Sequence, residues 1–199
     1  ELPNLLSLVA ARSGGLVNYA ELSRTSGLAT STLKRYLSLL QMTFLVRELP
    51  SWSRNMSKRL VRSSKFHLYD SGLAAYLLRS EPSARASAPQ TWGPLLETFV
   101  LAAMTRQAGW SESAPSLYHY RTSNGAEVDV VMESHRGEII GIEVKASASV
   151  VSRDFNGLRS LREGAGDKFR RGLVLYTGQE LVPFAPDMAA VPIRCLWEW

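Results

Sequence analysis

The chain has one cysteine, Cys195, so no internal disulfide can brace it, and a reducing, cytoplasmic setting is expected. No apolar run approaches the ~18–20 residues that a membrane-spanning helix needs, so no membrane partner is expected. A G-x-x-x-x-G-K-[ST] stretch is also missing, which excludes P-loop binding of ATP by this chain alone. The opening, ELPNLLSLVAARSGG, has no initiator Met, basic leader or small-residue cleavage site. It reads as part of a longer protein and not as a signal peptide. The three histidines, His67, His119 and His135, have no metal-ligand spacing and are expected to be structural or solvated. With no evident His partner, Cys195 reads as a small side chain and not a nucleophile.

Acidic residues are scarce in the first part of the chain. Residues 1–80 hold 11 Lys and Arg against 4 Asp and Glu, a charge of +7; residues 81–199 hold 12 against 14, a charge of −2. The basic character therefore belongs to the first part. There Arg54, Lys58, Arg59 and Arg62 crowd the stretch SWSRNMSKRLVRSSK, a composition that attracts polyanions such as nucleic acid. A solvated hairpin is the alternative reading.

Three segments are expected: a winged helix-turn-helix over 1–80, a linker over 81–91 rich in Ser, Ala and Pro, and an α/β domain over 92–199. In NYAELSRTSGLATSTLKRYLSLLQ, Tyr19–Ser26 reads as a helix, Gly27 as the turn and Leu28 as the corner plug. The polar cluster at Thr30–Thr32 is read as the cap of a second helix burying Leu33, Leu37 and Leu40. That leaves Lys34, Arg35 and Ser38 facing outward, where a recognition helix meets DNA. FLVREL and RLVRSSKFHLYD read as the hairpin wing, and Asp70 as the cap of a last helix.

The second part predicts the order α-β-β-β-α-β and a mixed sheet covered by helices. WGPLLETFVLAAMTRQ reads as a helix burying Leu96, Val100 and Ala103 with Phe99 alongside. Asn124-Gly125 marks a hairpin between SLYHYRT and AEVDVVM. EIIGIEVKAS is the third strand, RDFNGLRSLREG an amphipathic helix through Phe155, Leu158 and Leu161, and RGLVLYTG a fourth strand.

One strand is anomalous. GIEVKAS is otherwise apolar enough to be buried, yet Glu143 and Lys145 stand two residues apart and so share a face, where an uncompensated charge is costly. Alternation puts Asp129 with Glu127 and Val131 on the preceding strand. If the strands are neighbours, Asp129 and Glu143 approach each other, and the relief for opposed carboxylates is a cation. Two carboxylates with the Val144 carbonyl suit Mg²⁺ or Mn²⁺. Lys145 would stand beside a reacting phosphate. Glu97, in line with Leu101 and Met104 at the edge of the helical stripe, is a further candidate for the metal or one of its waters.

The residues Glu97, GAEVD to Asp129 and IEVK from Ile142 to Lys145, on an α-β-β-β-α-β frame, resemble the PD-(D/E)XK nuclease superfamily over roughly residues 92–195. The resemblance implies that Asp129 and Glu143 hold the metal, Lys145 is the catalytic lysine and Glu97 the helical acidic residue. Val128 stands where the motif's Pro would be. Over nearly the whole chain, SWSRNMSKRLVRSSKFHLYDSGLAAYLL, GPLLETFV, YHYRTSNGAEVDVVM and GIEVKAS are similar to the C-terminal region of a prokaryotic group of AAA-type ATPases. That similarity implies an N-terminal ATPase domain as partner, with any role for ATP confined to it.

Other readings stand beside these. Asp129 alone fits a solvated strand face, and Glu143 with Lys145 fits a self-satisfied ion pair. Arg159, Arg162, Lys168, Arg170 and Arg171 fit a solvated helix end as well as a phosphate contact. The function expected is a metal-dependent nucleic-acid phosphodiesterase joined to a DNA-binding winged helix; the alternative is a non-catalytic DNA- or protein-interaction module.

Overall fold

The computed structural model describes residues 1–55, 57, 59, 63–80 and 89–198. Lys58, Arg62 and most of the expected linker lie outside the described residues. The chain forms N-terminal helices with a small hairpin, then a six-stranded mixed sheet with helices. It divides into two compact units: Glu1–Leu49 with Ser63–Phe99, and Pro50–Arg62 with Val100–Trp199. The segment that joins the hairpin strands thus belongs to the second unit, and the long helix Pro89–Trp110 contributes residues to both.

In the first unit, helices α1 (Leu2–Ala10), α2 (Tyr19–Ser26) and α3 (Thr30–Met42) precede strands β1 (Val46–Leu49) and β2 (Lys65–Leu68) and helix α4 (Ser71–Leu77). Asn18 caps α2 by accepting from the Glu21 amide, and Gly27 ends it at φ 70°. Helix α3 departs from expectation at its start. Its N-cap is Ala29, with no side-chain cap; Thr30 donates instead to the Ser23 hydroxyl across the turn. Leu33, Leu37 and Leu40 are buried with Leu5, Val9, Phe66 and Leu68, and Leu28 packs against them as the expected plug. Asp70 caps α4 through the Leu73 amide.

In the second unit the strands are β3 (Ser116–Arg121), β4 (Glu127–Glu133), β5 (Ile139–Lys145), β6 (Phe169–Tyr176), β7 (Val182–Ala185) and β8 (Met188–Pro192), ordered β3-β4-β5-β6-β8-β7. The β3–β4 turn closes through Thr122 and Ala126, with Gly125 at φ 85°. Strands β5 and β6 are parallel, so a crossover must join them. It is made by helix α6 (Asn156–Ala165), preceded by a 3₁₀ turn over Ser152–Phe155. Phe155, Leu158 and Leu161 are fully buried in this unit's core, as their spacing predicts.

Two differences from the sequence reading have physical causes. Strands β7 and β8 were not expected; Pro183, Pro186 and Pro192 weaken the strand signal of LVPFAPDMAAVPIR. The sheet tolerates Pro183 on its edge strand β7 and Pro192 at the end of β8. The long helix Pro89–Trp110, α5, buries Leu95, Thr98, Val100, Leu101 and Met104, while Leu96 is only half-buried and Phe99 is 41% exposed.

Candidate functional site

The site of interest lies where β4 and β5 stop pairing. Between the pairs Tyr118↔Val131 and Tyr120↔Val128, strand β4 has one residue more than β3, so a bulge falls at Asp129–Val130. A bulge re-aims side chains. Strict alternation would send Val128 and Val131 to opposite faces, yet both belong to the one core cluster. The alternation expected for Asp129 therefore fails, for this local reason.

The antiparallel ladder between β4 and β5 ends at Val130↔Ile142. One step further stand Asp129 and Glu143. There Asp129 Oδ2 accepts a hydrogen bond from the Val144 amide at 2.9 Å. A carboxylate has taken the place of a main-chain acceptor. Asp129 is 9% exposed, so this charge-assisted bond is partly shielded from water.

Glu143 and Lys145 share a face and pair directly, Nζ to Oε1 at 2.9 Å. Burial pulls the Lys145 pKa down, but the Glu143 charge and hydrogen bond, with the charges of Asp129 and Asp154, outweigh it and raise the pKa overall. Lys145 is thus a permanent cation near neutral pH, set among three carboxylates. Asp154 is the member that sequence reasoning missed. It caps the 3₁₀ turn by accepting from the Val151 amide at 2.8 Å, and the signal available in VSRDFNG was an acidic residue at the start of a helical segment.

Helix α6 sets this corner of the sheet. A Cβ on Gly157 would lie 1.7 Å from the Glu127 carbonyl oxygen, so only glycine lets the first turn of α6 approach β4 this closely.

Glu97 belongs to the first unit. Its carboxylate is 3.1 Å from Lys65 Nζ and 3.6 Å from His67 Nε2, and Gly14 packs against it closely enough that a Cβ would lie 2.9 Å from Oε2. His67 Nδ1 meets the Thr98 hydroxyl, which meets Ser13. Among the described residues, no three His, Cys, Asp or Glu side chains form a metal-holding group.

The basic candidates divide by exposure. Lys34, Arg35 and Arg54 are exposed; Lys34 lies over Tyr19 and Arg35 over Tyr36. Arg59 is committed: both its terminal nitrogens reach Glu133, at 2.5 and 2.9 Å, and its guanidinium lies over Trp52 and Tyr118. Its hydrogen bonds hold the Glu133 carboxyl below the usual carboxylate value against the opposing effect of burial. The arginines beside α6 are engaged too: Arg159 with Ser152 and Asn156, Arg162 with Asp187, Arg170 with Glu138 and Arg171 with the Pro186 carbonyl. Among the described residues, no helix is long and apolar enough to cross a membrane.

Residues 92–196 match a family model described as Domain of unknown function (DUF4143), and the chain belongs to that family. Residues 1–84 match a second model, Domain of unknown function (DUF8612). The chain is similar to Uncharacterized protein Rv2008c of Mycobacterium tuberculosis and Uncharacterized protein Mb2031c of Mycobacterium bovis. Each is 32% identical over 189 residues, which are 94% of this chain and 40% of the relative. The chain thus spans well under half the length of these curated relatives. Among solved structures, a refined half-complex from a tetradecameric assembly of Thermococcus gammatolerans McrB AAA+ hexamers with bound McrC aligns with 96% of this chain and 70% of that chain, at 11% identity and a TM-score of 0.36.

Proposed function

We propose that the second unit is a phosphodiesterase module for nucleic acid that works with a divalent cation, Mg²⁺ or Mn²⁺, held by Asp129 and Glu143. The observation that carries this reading is the gathering of Asp129, Glu143 and Lys145 where the β4–β5 ladder ends. The donor set fits such an ion: two carboxylates, largely withdrawn from water, one of them paired with Lys145. When bound, the cation supplies Lewis-acid charge and activates water.

The chain's own residues do the rest. The Val144 amide orients Asp129, and Lys145 orients Glu143. Lys145 keeps its proton at neutral pH, so its role is to hold positive charge against the phosphate oxygens and not to act as a base. The proposed metal site is built from residues of the second unit and leaves out Glu97, which belongs to the first. The exposed Lys34, Arg35 and Arg54 would hold DNA phosphates. The extra length of the relatives leaves room for the ATPase module that the resemblance implies.

A second reading, a binding module without catalysis, is favoured by the direct Glu143–Lys145 pair and by the lack of a three-ligand group among the described residues. Incubating the purified chain with plasmid, single-stranded and branched DNA in Mn²⁺, beside Lys145→Ala, separates the two. Cleavage by the wild type that is lost in the variant supports the first. A wild type that binds Mn²⁺ and cuts none of these substrates leaves the second.

A further inference from the structure

The end of α3 carries an apolar patch that the phosphodiesterase reading does not use. Leu39 is 41% exposed, Met42 67% and Phe44 70%. Arg35, Leu39 and Met42 fall at i, i+4 and i+7, so they line one face of the helix.

Phe44 is the informative residue. The Leu45 amide bonds to the Leu40 carbonyl at 2.9 Å and the Phe44 amide to the Gln41 carbonyl at 3.1 Å. This pair of bonds is a Schellman ending, in which the residue at the position of Phe44 adopts the left-handed conformation and is usually glycine. Phe44 does so at φ 56°, which a bulky side chain avoids. The fold gains little burial in return, because the ring is mostly in water, edge-on to Tyr69 with centroids 5.8 Å apart. Backbone strain is thus accepted where an aromatic ring is displayed.

The rim of the patch is cationic. Arg47 lies over the Tyr69 ring at 4.3 Å, and Lys34 and Arg35 are exposed on α3, while the nearby Glu48 is taken up by Gln41 at 3.0 Å. Leu39 and Met42 offer no hydrogen bond to a base edge or phosphate, so this part of α3 is poorly suited to groove reading. Exposed Met, Phe and Arg side chains around an apolar centre, beside the half-buried Tyr69, have the composition of a protein-binding hot spot.

We propose that this patch docks an acidic, amphipathic helical segment of a partner protein, whose apolar face covers Leu39, Met42 and Phe44 and whose carboxylates meet Arg35 and Arg47. This docking uses no part of the metal site, but it competes with the DNA contact proposed above for Arg35. Its test is fluorescence anisotropy of the whole chain with a labelled synthetic helix bearing Leu and Phe on one face and Asp and Glu beside them. A scrambled peptide of equal composition and a duplex oligonucleotide serve as comparisons.

The wild type should prefer the acidic amphipathic peptide to the scrambled one. Phe44→Gly should weaken that binding by roughly tenfold or more while raising Tm, since glycine relieves the strain. Arg47→Glu should weaken it as well. Equal binding of the two peptides, unchanged affinity in Phe44→Gly, a lowered Tm in that variant, or a duplex that displaces the peptide would each overturn the proposal.

Discussion

Asp129 accepts a hydrogen bond from the amide of Val144 at 2.9 Å, so a side chain on one strand completes the main-chain bonding of the next. Structural and chemical roles of this carboxylate can therefore be separated. Asp129→Asn keeps an oxygen for the Val144 amide, and its Tm should stay close to wild type. Asp129→Ala strands a part-buried donor and should lose about 1 kcal/mol or more in denaturant unfolding. Both variants should lose Mn²⁺ binding in calorimetric titration; retained binding in Asp129→Asn would remove Asp129 from the metal site.

Lys145 is the cation set among Asp129, Glu143 and Asp154. Removing it in Lys145→Ala leaves like charges together, so Tm should fall in the absence of metal. Added Mn²⁺ should then raise Tm more in the variant than in the wild type, because the ion replaces the lost charge. Thermal unfolding with and without Mn²⁺ reads this directly, whether or not the chain cleaves DNA.

Acid should weaken the second unit through Glu133. Its folded-state pKa is held below the ordinary 4.5 by Arg59. A group depressed in this way contributes stability that is fully present above pH 4.5 and is lost as pH falls through the folded-state value. A pH series of Tm should show that loss, flattened in Glu133→Ala. At neutral pH the variant itself should cost roughly 3 kcal/mol, because Arg59 is left largely buried without its partner.

Gly157→Ala tests how tightly helix and strand meet. The added methyl would occupy the space of the Glu127 carbonyl oxygen, so unfolding free energy should drop by roughly 3 kcal/mol or more. Gly27→Ala, in open space at the end of α2, meets no such clash; its cost is confined to the left-handed backbone, about 1 kcal/mol.

Much of the frame was legible because its signals are local. Tyr19–Ser26, the Leu33, Leu37 and Leu40 stripe, the Asp70 cap and the Phe155, Leu158 and Leu161 face all follow from period and capping. The grouping of Glu143 with Lys145 follows from strand alternation. The bulge at Asp129–Val130 does not, since an inserted residue shows only against its partner strand. Nor could composition reveal that Arg59 is spent on Glu133 while Arg54 stays exposed, a distinction set by contacts between residues 74 positions apart. Asp154 was missed because nothing in its neighbours ties it to Lys145 before the chain folds.

The segment between the hairpin strands has a practical consequence for dissecting the protein. Ser51 bridges His119, the Trp52 amide bonds to the His119 carbonyl, and the Trp52 ring lies in the core of the second unit. A fragment started at residue 92 would discard these residues and lay bare the outer border of β3. Such a fragment should aggregate on expression, and supplying a synthetic Pro50–Arg62 peptide in trans should restore its solubility.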